Sequence, residues 1–246
     1  MAKLGIIPAR YASTRFPGKP LIDIDGKTMI QRVYEQACSA TSLDKVVIAT
    51  DDTRIITEVE RFGGEYVLTR ADHQSGTDRC AEVAAKIPGF NVIINIQGDE
   101  PYIDPVQINL LSSCFEDPEV QLATLIKKIH DKEELFNHNI PKVVINSRAE
   151  AIYFSRHPIP FIRNHEEENW PTSHQFYKHI GIYGYTDVAL HQITAMAPSS
   201  LELAESLEQL RWIENGFKIQ TKITALETIA VDTPEDLEKI IRLKSN

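Results

Sequence analysis

The sequence predicts an α/β fold: a doubly wound, mostly parallel but mixed sheet held between two helical layers. Two observations carry this expectation. Short apolar runs alternate with helical patterns through the first half, the order that makes parallel strands and crossover helices. Those runs are apolar throughout rather than alternating in polarity, as strands covered on both faces require. Composition permits such a fold, because 246 residues with 42% hydrophobic and 25% charged residues can bury a core without disulfide or metal staples. The same balance excludes a disordered chain, a collagen-like chain and a disulfide scaffold.

Residues 4–9 read as the first strand. Met29, Ile30, Val33, Tyr34 and Ala37 then recur at helical spacing. Residues 45–50 follow as a strand, 55–62 as a helix, 65–69 as a strand, 80–87 as a helix and 91–97 as a fourth strand. In the second half, residues 120–127, 142–146, 152–155 and 180–185 read as strands without full crossover helices. A mixed extension of the same sheet is therefore expected rather than a second doubly wound unit. Residues 164–177 are polar, with Glu166, Glu167 and Glu168 in a row, and read as a solvated excursion. Leu203, Leu207, Leu210 and Ile213 mark one apolar stripe of a helix, and residues 218–225 a last strand. A last helix runs over 234–243, with Asp232 or Thr233 as N-cap, Pro234 in the first turn, and Glu235 and Asp236 at the positive dipole end.

The formal net charge is −9, which disfavours non-specific nucleic-acid binding. The charge is unevenly spread: the first 22 residues carry Lys3, Arg10, Arg15 and Lys19 and no acid. A positive segment on an acidic chain suggests a small anionic ligand, with a solvated patch as the alternative. Cys38, Cys80 and Cys114 form no CxxC pair, read as small buried residues, and point to a reducing compartment. The apolar runs 46–49 and 92–94 are too short to span a bilayer, and no signal-peptide pattern opens the chain. The expectation is a cytoplasmic protein with no membrane partner.

Ligands of an open parallel sheet bind beyond the carboxyl ends of its strands. After the first strand comes PARYASTRFPGKPL, residues 8–21. It is neither a GxGxxG fingerprint nor a P-loop, since Pro20 follows Gly18-Lys19 and Ser13 stands where the first glycine belongs. It does carry Arg10, Arg15 and Lys19, with the hydroxyls of Ser13 and Thr14, on a loop stiffened by Pro17 and Pro20. Arginine grips phosphate oxygens bidentately and lysine adds a point charge, so a polyphosphate fits; a surface loop is the alternative. After the fourth strand, Asp99 in Gln97-Gly98-Asp99-Glu100-Pro101 is a natural Mg²⁺ ligand beside a phosphate loop. Asp232, after the last strand, is a second. Helix capping competes for both acids. After the third strand, Ser75 to Asp78 reads as a helix start, and His73 as a hydrogen-bonded structural residue rather than a catalyst or metal ligand.

Together with Ser75-Gly76-Thr77-Asp78-Arg79, Tyr153-Phe154-Ser155-Arg156, His179-Ile180-Gly181-Ile182-Tyr183, Leu207-Glu208-Gln209-Leu210-Arg211 and Val231-Asp232-Thr233-Pro234-Glu235-Asp236-Leu237, these motifs stand in an order that resembles the 3-deoxy-manno-octulosonate (Kdo) cytidylyltransferases. The resemblance covers nearly the whole chain. It implies a three-layer sandwich of the nucleotide-diphospho-sugar transferase type, one domain over residues 1–246 with a dimerisation and sugar-side excursion near 148–180. It implies transfer of CMP from CTP to the anomeric hydroxyl of Kdo, with release of pyrophosphate, for lipopolysaccharide synthesis. By motif, Arg10, Ser13, Arg15 and Lys19 hold the triphosphate, and Ala9, Gln97 and the segment Ser75, Gly76 and Arg79 line the nucleotide site. Arg156, His179, Tyr183, Glu208 and Gln209 face the sugar acid, Asp99 and Asp232 hold Mg²⁺, and the chain forms a homodimer. Read without the motifs, Arg156 suits a surface ion pair, Tyr183 suits core packing, and Glu208 and Gln209 suit an exposed helix face. His179 suits orientation of the sugar better than proton abstraction. Two rivals stand beside this reading: a cytidylyltransferase for 8-amino-Kdo or another sugar acid, and a nucleotide-binding module without turnover.

Overall fold

The computed structural model describes residues 1–12, 16–227, 229–231 and 233–238. The chain opens with β1 (Lys3–Ala9), the small ribbon β2 (Asp23–Ile24) and β3 (Lys27–Thr28), and α1 (Met29–Cys38). It continues through β4 (Lys45–Thr50), α2 (Thr53–Arg61), β5 (Tyr66–Leu68), α3 (Gly76–Lys86) and β6 (Val92–Asn95). β1 lies parallel between β4 and β6, and β5 extends the sheet beyond β4. This half is doubly wound, as expected.

The second half supplies α4 (Pro105–Ser112), β7 (Leu122–Lys128), α5 (Lys132–Phe136), β8 (Lys142–Ile145) and β9 (Ala151–Ser155). It ends with α6 (Trp170–Ser173), β10 (Tyr177–Thr186), α7 (Asp187–Thr194), α8 (Ser200–Glu205), α9 (Gln209–Glu214) and β11 (Ile219–Ile223). β10 runs antiparallel between β6 and β7, β11 is parallel to β7, and the β8–β9 hairpin joins the start of β10. The main path is β11-β7-β10-β6-β1-β4-β5, the mixed sheet that the irregular second half implies.

Two apolar layers hold helices to the sheet. On one face Ile7, Ile48 and Ile94 meet Ile30 and Val33 of α1, Ile55 of α2 and Leu111 of α4. On the other, Ile6, Val47 and Ile93 meet Val83 of α3, Leu190 of α7 and Trp212 of α9. Each fully buried aliphatic side chain contributes roughly 1.5–3 kcal/mol, so the sandwich is stabilised from both sides.

Several expectations need correction. The apolar stripe from Leu203 to Ile213 is not one helix: Ser206 takes a left-handed φ of 52° and separates α8 from α9, leaving Leu203 exposed. β5 is an edge strand whose Tyr66 and Leu68 are exposed, so its apolar residues do not report burial on both faces. α3 starts at Gly76 rather than Cys80, because Ser75 and Asp78 form a reciprocal capping box. Cys38 is exposed at the end of α1, whereas Cys80 and Cys114 are buried. The polar excursion holds its own small core of Trp170 and Phe176 with Ile129 and Leu135. At the last helix, residues 234–238 are helical and Thr233 is the cap: its hydroxyl accepts from the Asp236 N–H. Residues 239–243 of that expected helix lie outside the described residues. Among the described residues, no helix is long and apolar enough to cross a membrane.

Candidate active site

β1 sends its crossover one way and β6 the other, so their carboxyl ends diverge at the switch point where doubly wound sheets bind ligands. A cavity of about 270 Å³ opens there, lined by Ala9 and Arg10 after β1, by Gln97, Gly98 and Asp99 after β6, and by Lys19. Gly76, at the N-terminus of α3, also lines it, where unpaired N–H groups favour an anion. The two strand-end loops touch closely. A Cβ on residue 98 would sit 2.7 Å from the Pro8 carbonyl oxygen, so only glycine lets them meet. Gly18, at φ 74°, donates its N–H to the Tyr11 carbonyl at 3.0 Å and brings the basic loop back to the pocket.

Within the cavity Lys19 Nζ donates to Asp99 Oδ2 at 2.8 Å. Arg10 Nη2 donates to the carbonyl oxygens of His73 and Ser75. Six residues expected at the nucleotide and metal site thus share one cavity: Ala9, Arg10, Lys19, Gly76, Gln97 and Asp99. Ser75 stands just behind it as the cap of α3. Arg79 lies deeper. Its guanidinium is fully buried, 2.9 Å from Asp51 Oδ1 and hydrogen-bonded to Thr69 Oγ1, and it does not line the cavity. Ser13, Arg15 and Asp232 lie outside the described residues.

The sugar-side residues gather on β10 and α9. Tyr183 stands opposite Asn95 in the sheet register and packs edge-on to Trp212 at 5.1 Å. Tyr183 OH, Gln209 Nε2, Trp212 Nε1 and Asn95 Oδ1 are buried without a hydrogen-bond partner among the described residues. Such buried atoms are costly unless something polar reaches them, and of the four residues Asn95 lines the cavity. Gln209 is therefore not on an exposed face, and neither is Glu208. The Glu208 carboxylate accepts from Thr77 Oγ1 at 2.8 Å, and burial raises its pKa against the opposing hydrogen bonds of Thr77 and Ser75. This contact joins α9 to the start of α3 and so links the two halves of the site. Thr77 belongs to the Ser75 to Arg79 motif, but Asn95 and Trp212 are not legible as site residues, because each stands in an ordinary strand or helix pattern.

His179 lines a separate cavity of about 180 Å³ with Glu100, Lys178 and Glu227. Thr124 Oγ1 lies 2.9 Å from His179 Nε2 and 2.8 Å from the Ile182 carbonyl. The single hydroxyl proton serves the carbonyl, so Nε2 donates to Thr124 and Nδ1 is the acceptor. Burial pushes the His179 pKa down to about 3, which keeps the ring neutral near pH 7 and makes it a poor proton acceptor there. Lys178 is buried between Glu134 and Glu227, and Glu227 also takes Lys127 at 2.7 Å. Arg156 stands apart. Its Nε, Nη1 and Nη2 donate to the carbonyl oxygens of Glu205, His138 and Ser206, which ties the β9 end to the break between α8 and α9.

Asp99 can hold a divalent cation. Its carboxylate is 26% exposed and already attracts the Lys19 ammonium, so the position suits positive charge. No group of three or more His, Cys, Asp or Glu among the described residues could hold a metal alone. A donor set of one or two carboxylates completed by substrate phosphates is the habit of Mg²⁺, and it fits this site. Val231, the residue before Asp232, donates its N–H to the Asp99 carbonyl at 2.9 Å.

Residues 4–229 match the cytidylyltransferase family. The 3-deoxy-manno-octulosonate cytidylyltransferase of Cytophaga hutchinsonii is 57% identical over 98% of this chain and 97% of its own. That of Parabacteroides distasonis is 56% identical over 100% and 99%. A solved CMP:2-keto-3-deoxy-manno-octonic acid synthetase, complexed with CTP, superposes with a TM-score of 0.93 at 43% identity over 100% of this chain and 99% of its own. Sequence, sheet order and the cavity between β1 and β6 agree, and the chain belongs to the 3-deoxy-manno-octulosonate cytidylyltransferase family.

Proposed function

We propose that this chain transfers CMP from CTP to the anomeric hydroxyl of Kdo, releases pyrophosphate, and uses Mg²⁺ held by Asp99 and Asp232. The observation that carries the reading is the convergence of Arg10, Lys19 and Asp99 in one cavity at the sheet's switch point. A triphosphate needs that density of positive charge, and a nucleotidyl transfer needs a carboxylate beside it. The four unpartnered polar atoms around Tyr183 and Gln209 support a polyhydroxylated acceptor on the adjacent side.

Phosphoryl transfer depends on alignment and charge neutralisation more than on covalent help from the protein. The acceptor hydroxyl attacks the α-phosphorus and gives up its proton to solvent; a new oxygen–phosphorus bond forms as the bond to pyrophosphate breaks on the opposite side. Arg10 and Lys19 neutralise charge that builds on the leaving group. Tyr183 and Gln209 fix the acceptor through its hydroxyls. His179, neutral and offering Nδ1, accepts a hydrogen bond and orients the sugar rather than taking its proton. When bound, Mg²⁺ supplies Lewis-acid polarisation of the phosphate oxygens and neutralises their charge. No covalent enzyme intermediate is required. A homodimer working in the cytoplasm belongs to the same proposal, and light scattering at working concentration tests the dimer.

The test is pyrophosphate release with CTP and Mg²⁺ in the presence of Kdo, 8-amino-Kdo, N-acetylneuraminate or no acceptor. Release with Kdo above all others is expected. Release only with 8-amino-Kdo changes the acceptor, and CTP binding without release under any condition returns the chain to a non-catalytic nucleotide binder.

A further inference from the structure

The Arg10 guanidinium faces a cavity that also contains the Lys19 ammonium, with the buried Arg79 cation behind it. An arginine among like charges needs a reason to hold one direction before its anion arrives. That reason is two main-chain carbonyl oxygens, those of His73 and Ser75, both accepting from Nη2. Among the described residues no hydrogen bond or ion pair engages Nε or Nη1, which leaves those donors to an incoming phosphate. The two carbonyls converge only if the 70–75 loop keeps its shape.

The loop is held on both sides. At one end Ser75 is locked by its capping box with Asp78: the Asp78 N–H donates to Ser75 Oγ at 3.1 Å, and the Ser75 N–H to Asp78 Oδ2 at 3.0 Å. Across the rest of the loop one carboxylate gathers three donors. Glu82 Oε2 accepts from the Arg70 N–H at 3.0 Å and from His73 Nε2, and Oε1 pairs with Lys86 at 2.7 Å. The side chains of His73 and Glu82 are only 10% and 15% exposed, so the pair is shielded from competing water. Burial disfavours the Glu82 anion, yet hydrogen bonds from Lys86, the Arg70 N–H and His73 outweigh it and bring the pKa down to about 2.

We propose that His73 and Glu82 are positioning residues for Arg10: they set the 70–75 loop so that two carbonyl oxygens preorient the guanidinium for the triphosphate. Neither residue lines the cavity. The proposal rests on the polyphosphate reading of the cavity and assigns that site a layer of residues behind the ligands.

The test measures binding by calorimetry without acceptor, using CTP and, separately, inorganic tripolyphosphate. Glu82→Gln and His73→Phe are each expected to weaken both ligands by about five- to ten-fold, with the KM for the sugar acid unchanged. In an Arg10→Met background the same substitutions should add less than two-fold, because the group they act through is gone. Lys86→Met, which removes an ion pair of Glu82 and a hydrogen bond to the Leu68 carbonyl but no contact with residues 70–75, should keep wild-type affinity. Equal losses in both Arg10 backgrounds, or unchanged binding with only a lower unfolding midpoint, would overturn the proposal. Should Glu82→Gln not fold, His73→Phe carries the same cycle. Wild-type binding of tripolyphosphate but not CTP would count against the nucleotide reading alone. Binding of neither would remove both.

Discussion

Lys19 Nζ donates to Asp99 Oδ2 across the mouth of the nucleotide cavity, at 2.8 Å. The cation expected to take a phosphate and the carboxylate expected to take a metal neutralise one another until the substrate arrives. A metal–triphosphate complex offers each a stronger partner, a phosphate oxygen for the ammonium and a divalent ion for the carboxylate. The pair thus leaves neither Lys19 nor Asp99 uncompensated while the site waits.

Replacing the carboxylate separates these roles. Asp99→Asn is expected to lower the rate of pyrophosphate release by ~10²-fold or more, since electrostatic stabilisation at the reacting phosphate is lost. Metal-free CTP binding should hold or tighten, because the carboxylate that competes for Lys19 is gone. Rate assays across a Mg²⁺ titration, with CTP calorimetry in a chelator, check both halves. Near-normal turnover would remove Asp99 from the metal site.

Gly98→Ala tests the close approach of the two strand-end loops. The new methyl meets the Pro8 carbonyl oxygen at 2.7 Å, and backbone cannot swing aside as a flexible side chain can. The expected cost is about 1–3 kcal/mol in urea unfolding, with weaker CTP binding because the loop that carries Asp99 is displaced. A variant with wild-type midpoint and affinity would show that the loops have slack.

Tyr183→Phe should move stability and function in opposite directions. The hydroxyl is buried without a described partner, so removing it from the free enzyme is expected to raise the unfolding free energy by up to ~1 kcal/mol. The acceptor loses a hydrogen bond, and its KM should rise about ten-fold while that for CTP stays put. A less stable variant with an unchanged acceptor KM would assign the hydroxyl to packing.

The acid side of the stability curve reports His179. Its pKa is about 3 in the fold and about 6.5 in an unfolded chain. Between those values the unfolded chain binds a proton that the folded one does not. The neutral ring's contribution is therefore fully present above about pH 6.5 and is lost progressively as the pH falls toward 3. Urea midpoints of the wild type and His179→Gln, taken from pH 7.5 to 4, should converge as the pH drops. Curves that stay parallel would mean that His179 is readily protonated in the fold.

The parallel half of the fold was legible because β1, β4 and β6 are buried on both faces and read as plain apolar runs, with the ligand loop at their ends. The convergence of Arg10 and Lys19 on one cavity was legible because both stand among no acids. α4 and α7 escaped notice although Asp104 with Pro105 and Thr186 with Asp187 mark their starts, since neither helix shows a long apolar period. The split between α8 and α9 depends on one left-handed serine, which apolar spacing does not register. Glu208 and Gln209 looked exposed only because one continuous helix was assumed. The roles of His73 and Glu82 depend on where main-chain carbonyls point, and a one-dimensional pattern carries no such information.

The hydrogen bond from Val231 to the Asp99 carbonyl has a consequence for biosynthesis. It joins residues 132 positions apart, and it tethers Asp99, which lines the pocket together with residues near position 10. During translation the early strands can pair and the basic loop can form, yet the loop that carries Asp99 lacks this tether until residue 231 has left the ribosome. A nascent chain could therefore already resemble the finished domain in its secondary structure while the strand-end loop that carries Asp99 is still untethered.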